Sequence, residues 1–513
     1  MTDVDVSSSP RERFVAGLRS GQPQVVVRRL IDDLETPVSA FLKVGHGRPY
    51  ASLLESVEGG AVNGRYSIVT LDPDVVWRCR DGKAEIARGP AVLSGEFTPE
   101  DIPALQSLRS LIAATSFDLP EGLPPMAAGL FGVFGYDMVR LLEPLGEANP
   151  DPLNLPDAVM ARPSLVAIFD SVKHEIVLIA AAYPDTAIRA EAAFDAAHAR
   201  LEAFEDHLRG PLPIQREAER VAAPAFESAV DQAGFSTMVA RAKDYIGAGD
   251  IFQVVLAHRF SAPWAQDPFA FYRALRRGNP SPYLFYLDYV DFQLAGSSPE
   301  ILVRLKDGRV TIRPLAGTRA RGATAELDRA LESELLADPK ERAEHLMLLD
   351  LGRNDVGRVS VPGSVEVTES FVVERYSQVM HIVSNVNGQA DPKLDAVDTL
   401  LAALPAGTLS GAPKVRAMEI IDELETEKRG IGYGGGVGYI SANGEADICI
   451  VLRTAMFAQD QIFVQAGAGV VADSDPAAEY AETLAKARAP MKAAEEAWRF
   501  TSTTRGHVNS SKN

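Results

Sequence analysis

Cysteine is scarce in this 513-residue chain, which holds only Cys79 and Cys449. Two thiols cannot build a disulfide framework, and a reducing cytoplasm is the expected compartment. No CxxC pair and no HExxH run occurs, so the usual zinc spacings are absent. Long apolar runs are missing as well. Stretches such as Ile176–Tyr183 have the length of a core strand, far short of the roughly 20 residues that cross a bilayer. The opening MTDVDVSSSP is acidic and polar, the opposite of a secretory leader's basic start. Positive charge is in deficit: 51 Lys and Arg face 70 Asp and Glu, for a formal net charge of −19. A general nucleic-acid binder would need a basic face, so that class is set aside. An anionic small substrate is not excluded, because a few local arginines can override the global field.

What is present fits a folded enzyme or scaffold, with 46% hydrophobic and 24% charged residues. The length exceeds one ordinary core, so two domains or one large elaborated domain are expected. Residues 1–22 and 499–513 read as flexible polar tails. Between 23 and 205 short apolar runs such as VVVRRL, YSIVTL, VVWRC and SLVAIF alternate with turn signals and read as strands. A helical spacing follows in AIRAEAAFDAAHARLEAFEDHLRG, and 206–228 reads as a connecting segment. From 229 to 498 the pattern predicts a helix ending at Gly247 or Gly249, strands at FQVVLAHRF, PYLFYLDYV, FQLAG and VTIRPLAG, and helices near 326–352 and 393–404. Pro339 interrupts the first of these helical blocks. A long helix begins at Asp475-Pro476. Helices and strands do not alternate regularly, so an α+β fold is favoured over a doubly wound sheet.

The stretch LPAGTLSGAPKVRAM (404–418) resembles a phosphate cradle but fails as one. Ala412 and Pro413 separate Gly411 from Lys414, Val415 stands where a hydroxyl is needed, and Pro413 removes a backbone donor. The closing helix carries Glu479, Glu482 and Lys486 on one face, either a surface stripe with a Glu482–Lys486 pair or part of a site. The preceding QAGAGVV reads as a Gly-rich loop before a helix N-terminus, where anions bind well. A second acidic helix, ERAEHLMLLDLGRND, holds Glu344 beside His345, with Leu346, Met347 and Leu349 expected on its apolar side. Two carboxylates on separate helices suit Mg²⁺, which takes oxygen ligands and shares the substrate's own anion. His381 stands among apolar residues, as a satisfied core group or a functional one. Arg319, Arg321, Arg353, Arg358 and Arg453 lie beside glycines or open backbone; each suits carboxylate recognition, or a structural pairing.

The ordered set NPSPYLFYLD, AGSSPEILVR, RPLAGTRARG, AEHLMLLDLGRND, VMHIVSNVNG, LPAGTLSGAPKVRAME, YGGGVGYI, DICIVLRTA and QAGAGVVADSDPAAEYAETLAKA closely resembles the chorismate-utilising enzyme family, and within it the anthranilate synthase large subunits (component I). The resemblance is dense from about 235 to 495 and thinner earlier, at SLLES and GRYSIV. It implies an α+β fold with a large antiparallel β-sandwich-like core flanked by helices, an N-terminal regulatory domain over 23–205 and a chorismate-binding catalytic domain over 229–498. It further implies magnesium on Glu344 and Glu482, and carboxylate recognition by Gly317, Thr318, Arg453 and the amides of Gly467, Ala468 and Gly469, with Tyr433 and Lys486 assisting. Glu300 would protonate the departing C4 hydroxyl, His381 would serve the aromatising loss of pyruvate, and Thr408 would line the pocket close to His381.

Within the family, relatives that attack C2 through a lysine amine carry it where this chain has Ala316. Relatives that add water carry a lysine base where this chain has Gln253. Both positions favour ammonia as the nucleophile and anthranilate as the product. The alternatives are another chorismate-using enzyme, a 4-amino-4-deoxychorismate or an isochorismate/salicylate synthase, or a catalytically silent amino-acid sensor of the same fold. No glutaminase site is visible around either cysteine, so a glutamine amidotransferase subunit (component II) is implied, in a heterotetramer. By the same resemblance Ser56 of SLLES with Pro282, Tyr283 and Leu284 would bind L-tryptophan as feedback inhibitor; an ordinary domain interface is the other reading of that pair. Ala320, Gly352 and one extra residue between Thr408 and Tyr433 depart from the family pattern.

Overall fold

Alternating apolar residues build long strands, and the strands join into one antiparallel network. The computed structural model describes residues 9–58, 62–212, 220–376 and 379–501, and twenty-two of the strands in them form a single connected sheet. Two strands organise it. Tyr66–Arg80 and Ala158–Asp170 pair along their lengths, with a break in register between Pro73 and Val75, where a proline cannot donate to the ladder. One arm runs from these strands through Ser52–Glu55, Tyr283–Asp288, Gln293–Ser298, Thr454–Ala458 and Gln461–Val470 to Gln253–Pro263. The other runs through Gly129–Phe134, Gly436–Ser441, Ala446–Ile450, Ile301–Lys306 and Arg309–Ile312 to Val379–Gln389.

The two-residue period of each strand then decides the layers. Phe285, Leu287, Leu294, Met456 and Phe463 of the first arm share one buried cluster with Val133, Val437 and Cys449 of the second and with Val76 and Val159 of the two organising strands. The arms therefore face each other as a sandwich. The outer face of the first arm (Leu284, Tyr286, Ala295, Val464) packs against helices Pro37–Val44, Ala190–Leu208, Pro268–Gly278 and Pro476–Glu496. The outer face of the second (Leu130, Met160, Ile448, Ile450) packs against Ala104–Thr115, Pro339–Arg358 and Ala396–Ala403. This is the expected α+β sandwich flanked by helices.

Several local expectations change. Residues 1–8 lie outside the described residues, but Pro10–Arg19 is a helix rather than a tail. Ser9 and Glu12 cap it reciprocally, at 3.2 and 2.7 Å, and Phe14 packs edge-on against Phe194. In the expected connecting segment, residues 213–219 lie outside the described residues, and Glu227–Ser228 already pairs with Gln253–Pro263. At the other end, Phe500 closes a short turn and its carbonyl accepts a bond from Arg273 at 2.8 Å, while 502–513 lie outside the described residues. VTIRPLAG is two strands, Arg309–Ile312 and Leu315–Ala320, parted at Arg313-Pro314. Leu346 is 52% exposed, so Leu348 and Leu349 form the apolar side of its helix instead. Both cysteines are buried and free. No helix among the described residues is long and apolar enough to cross a membrane.

Candidate active site

Strand pairing sets Thr318 opposite His381. The histidine's Nδ1 lies 3.0 Å from Thr318 Oγ1 and 3.3 Å from the Gly317 carbonyl. Against a carbonyl Nδ1 must be the donor, which leaves the Nε2 lone pair bare; that atom is buried without a partner among the described residues. Burial, followed by the charge of Arg453, pulls the imidazole down to about 4, so the ring is neutral at pH 7 and able to accept a proton. Gly317 makes the approach possible. It sits at φ +79° where the register shifts between Ala316 and Thr318, a backbone shape that side-chain-bearing residues resist.

Glu300 enters from the start of the Ile301–Lys306 strand, and its side chain is buried. Thr408 Oγ1 donates to its carboxyl at 3.3 Å. Burial pushes the carboxyl up to about 8, against smaller downward pulls from the Leu315 amide, Thr408, Lys486 and Arg453. At neutral pH Glu300 holds a proton it can give away. Thr408 thus touches Glu300, while the partners of His381 are Thr318 and Gly317. The failed phosphate cradle is also explained: Lys414 Nζ sits 2.9 Å from both carboxylate oxygens of Asp355. Its charge is spent inside the fold.

Arg453 differs from the other arginines singled out in the sequence. Arg319 pairs with Glu334, Asp338 and Glu341, Arg321 with Asp328, Arg353 with Asp350 and Arg358 with Glu143. These are structural pairings. Arg453 makes no ion pair among the described residues, stands at φ +48°, and has its pKa lowered by burial, with Tyr376 and Glu300 pulling the other way. A desolvated cation without a counter-ion is costly and suits an anionic ligand.

The stretch QAGAGVV is a strand, not a loop. Gly467, Ala468 and Gly469 pair with Ala257, Leu256 and Val255. Alternating small residues satisfy a strand whose neighbours approach closely, which the loop reading overlooked. The following helix N-terminus is capped by its own Asp475, whose carboxylate accepts the Ala478 amide at 2.9 Å. The glycines still shape the site. A Cβ at Gly467 would lie 2.8 Å from the Tyr433 hydroxyl, and Lys486 donates to the Gly467 carbonyl at 3.0 Å while pairing with Glu482 at 2.8 Å.

Glu344 projects toward the same face. Burial raises its carboxyl, and Glu341 and Glu482 raise it further, with Lys486 opposing. A buried carboxyl with two others near it fits a hard divalent cation. Among the described residues no group of three or more His, Cys, Asp or Glu is disposed to hold a metal.

The motif SLLES forms strand Ser52–Glu55 and pairs directly with Tyr283–Asp288. Ser56, Pro282, Tyr283 and Leu284 line one cavity of about 780 Å³ that also reaches Arg304, Asp447 and Glu300. Arg304 bridges Asp447 at 2.9 Å and the Tyr283 hydroxyl at 3.0 Å there. One neighbour of the site was missed from sequence. Tyr376 sets its ring 5.6 Å from His381, at the end of the Glu366–Arg375 strand. That strand pairs with Val379–Gln389, a pairing that the sequence reading did not make.

Residues 72–492 match the family model described as chorismate binding enzyme. The anthranilate synthase component 1 of Cereibacter sphaeroides is 54% identical over 95% of this chain and 98% of its own length. That of Pseudomonas putida is 47% identical over 94% and 98%. The solved structure of anthranilate synthase component I from Streptococcus pneumoniae TIGR4 superposes with a TM-score of 0.74 at 38% identity, over 90% of this chain and 99% of that one.

Proposed function

Because the chain belongs to the chorismate binding enzyme family, we propose that it converts chorismate and ammonia to anthranilate and pyruvate, a step of L-tryptophan biosynthesis. The observation that carries this reading is a buried protonated carboxyl, Glu300, and a neutral His381 whose Nε2 is bare, both within the field of Arg453, which makes no ion pair among the described residues.

The chemistry follows from those states. Ammonia bonds to C2 of the ring, and the C4 hydroxyl leaves as water on taking the Glu300 proton, because hydroxide is a poor leaving group. The ammonium formed at C2 gives its extra proton back to Glu300. His381 then accepts the C2 proton as the enolpyruvyl C–O bond breaks and the ring aromatises. The leaving enolate takes that proton at carbon and is released as pyruvate. Arg453, with Thr318, Tyr433, Lys486 and the Gly467–Gly469 strand, binds the carboxylates. Mg²⁺ on Glu344 and Glu482 would supply charge neutralisation for the ring carboxylate. Ala316 and Gln253 offer no amine at the positions where relatives carry a lysine, which supports free ammonia as nucleophile.

Ammonia is supplied by a glutamine amidotransferase subunit in this reading. Supporting it, both thiols are buried and Cys79 is pushed up to about 12, chiefly by burial, so neither is a glutaminase nucleophile. Tryptophan inhibition is supported by the shared cavity of Ser56, Pro282, Tyr283 and Leu284. The division into a regulatory part over 23–205 and a catalytic part over 229–498 belongs to the same proposal, as does a cytoplasmic setting, which the free cysteines favour. The test is anthranilate fluorescence from chorismate, Mg²⁺ and ammonium salts with the purified chain. Glutamine should not replace ammonium until the partner is added, and Glu344→Ala or Glu482→Ala should abolish turnover in a folded protein. Near-normal turnover by either variant at limiting Mg²⁺ removes that residue from the ligand set.

A further inference from the structure

Beneath the site lies a buried ion pair that the chemistry above does not use. Glu425 and Arg429, on the residues that follow helix Lys414–Leu424, are 6% and 3% exposed. Arg429 Nε donates to Glu425 Oε2 at 2.9 Å, and Nη2 donates to its other carboxylate oxygen. Two further donors go to backbone carbonyls. Nη1 meets the Leu409 carbonyl at 2.6 Å and Nη2 the Val255 carbonyl at 2.7 Å. Glu425 Oε1 also accepts the Ala257 amide at 2.8 Å. Leu409 adjoins Thr408, and Val255 and Ala257 stand in register with Gly469 and Gly467. The guanidinium lies 5.5 Å from the Tyr433 ring centroid and 4.7 Å from that of Tyr136.

We propose that Arg429, locked to Glu425, is a positioning residue that holds the Thr408 turn, the strand behind the carboxylate cradle and Tyr433 in one fixed geometry. Buried ion pairs are weak sources of stability, since apolar pairs of similar size often replace them without loss. This pair spends its donors on the walls of one pocket. A planar fork can reference the Leu409 and Val255 carbonyls and a carboxylate at once, which an ammonium cannot. The adjacent Lys428 supplies the contrast. It is as buried as its neighbour, yet its Nζ faces Asp157 at 2.7 Å, with Asp151 and Asp81 beyond, and it makes no bond to the Thr408 turn.

The inference rests on the reading of Thr408 and Glu300 as reacting-site residues, so its test includes a measurement that does not depend on that reading. Hydrogen exchange is followed over peptides covering 405–411 and 253–257 in the wild type, Arg429→Lys, the double variant Glu425→Gln/Arg429→Met, and Lys428→Gln. Faster exchange in both peptides is expected for the two Arg429 variants and not for Lys428→Gln, at matched thermal stability. In parallel, kcat should fall by about 10²-fold in the Arg429 variants, as expected for a small misplacement of reacting groups, with KM little changed. The basic limb of the pH–rate profile should move upward, as in Thr408→Val, because Glu300 loses the hydroxyl that favours its ionised form. Wild-type exchange and rate in either folded Arg429 variant overturns the proposal, as does an equal loss in Lys428→Gln. If the wild type makes no anthranilate, the proposed function fails while the exchange contrast still decides the positioning role.

Discussion

Two buried polar clusters lie side by side in the C-terminal half, and their wiring is opposite. Around Glu425 and Arg429 the charged atoms are matched to each other and to backbone. Around Glu300 and His381 matching is withheld: among the described residues His381 Nε2 is buried without a partner and Arg453 makes no ion pair. Each unmatched buried group costs about 1–3 kcal/mol. A fold retains such groups where a ligand supplies the missing partners, so the first cluster reads as scaffold and the second as a site. The two should therefore answer mutation with opposite signs in stability and activity.

The largest effect is expected at Glu300. Glu300→Gln keeps the size and the bond to Thr408 but removes the proton, and a loss of about 10²- to 10⁴-fold in kcat is expected, with chorismate affinity by calorimetry nearly unchanged. The wild-type rate should fall as pH rises through about 8, where this carboxyl ionises. Stability has the same direction. The folded carboxyl keeps its proton from its ordinary value of 4.5 up to about 8, whereas the unfolded one loses it, so stability declines as pH rises across that window. Urea titrations of Glu300→Gln should show a flatter decline. A variant that keeps the wild-type pH–rate limb would assign the acid elsewhere.

Arg453 comes next, because it separates the clusters most sharply. Arg453→Met should weaken chorismate binding by about 2–5 kcal/mol, the range for truncating one partner of a buried charge pair. The ligand-free protein should melt higher, since an uncompensated cation is gone. Loss of stability together with binding would place Arg453 in the scaffold instead.

Most of the second cluster was readable from sequence and almost none of the first. Glu300, His381, Thr408 and Arg453 are picked out by the motifs shared with the family, not by local chemistry alone, and the strands that carry them follow a two-residue period. What decides the matching is long-range. Nothing in LETEKRG distinguishes Arg429, which turns inward to Leu409 and Val255, from Lys428, which faces Asp157. Similarly, QAGAGVV carries the glycines of a loop, and only its partner strand makes it β-structure. Pro10–Arg19 was missed for a third reason: its polar composition hid a capping box and two apolar residues whose packing face, on Ala190–Leu208, lies far along the chain.

The smallest effect on the uninhibited enzyme is expected at Ser56, where the comparison moves from the site to the cavity beyond it. Arg304, Asp447 and Tyr283 already match one another there, so the polar walls are scaffold-like, and the space of about 780 Å³ is what a ligand would use. Ser56 is small and lines that space, as Glu300 does. A ligand held between Ser56 and Leu284 can therefore bias the position of Glu300, the proposed acid, without touching chorismate. For inhibition it must prefer the state that binds chorismate poorly, and the effect must be reciprocal. Coupling of about 1–3 kcal/mol would raise the apparent chorismate requirement by roughly 5- to 150-fold under saturating L-tryptophan. Ser56→Phe should fill the pocket and abolish that rise while leaving the uninhibited rate close to wild type. Calorimetric titration of L-tryptophan into both proteins, with parallel rates, checks it. Equal affinity in both would move the inhibitor site away from Ser56, and absence of binding to the wild type would reduce the paired strands to a domain interface.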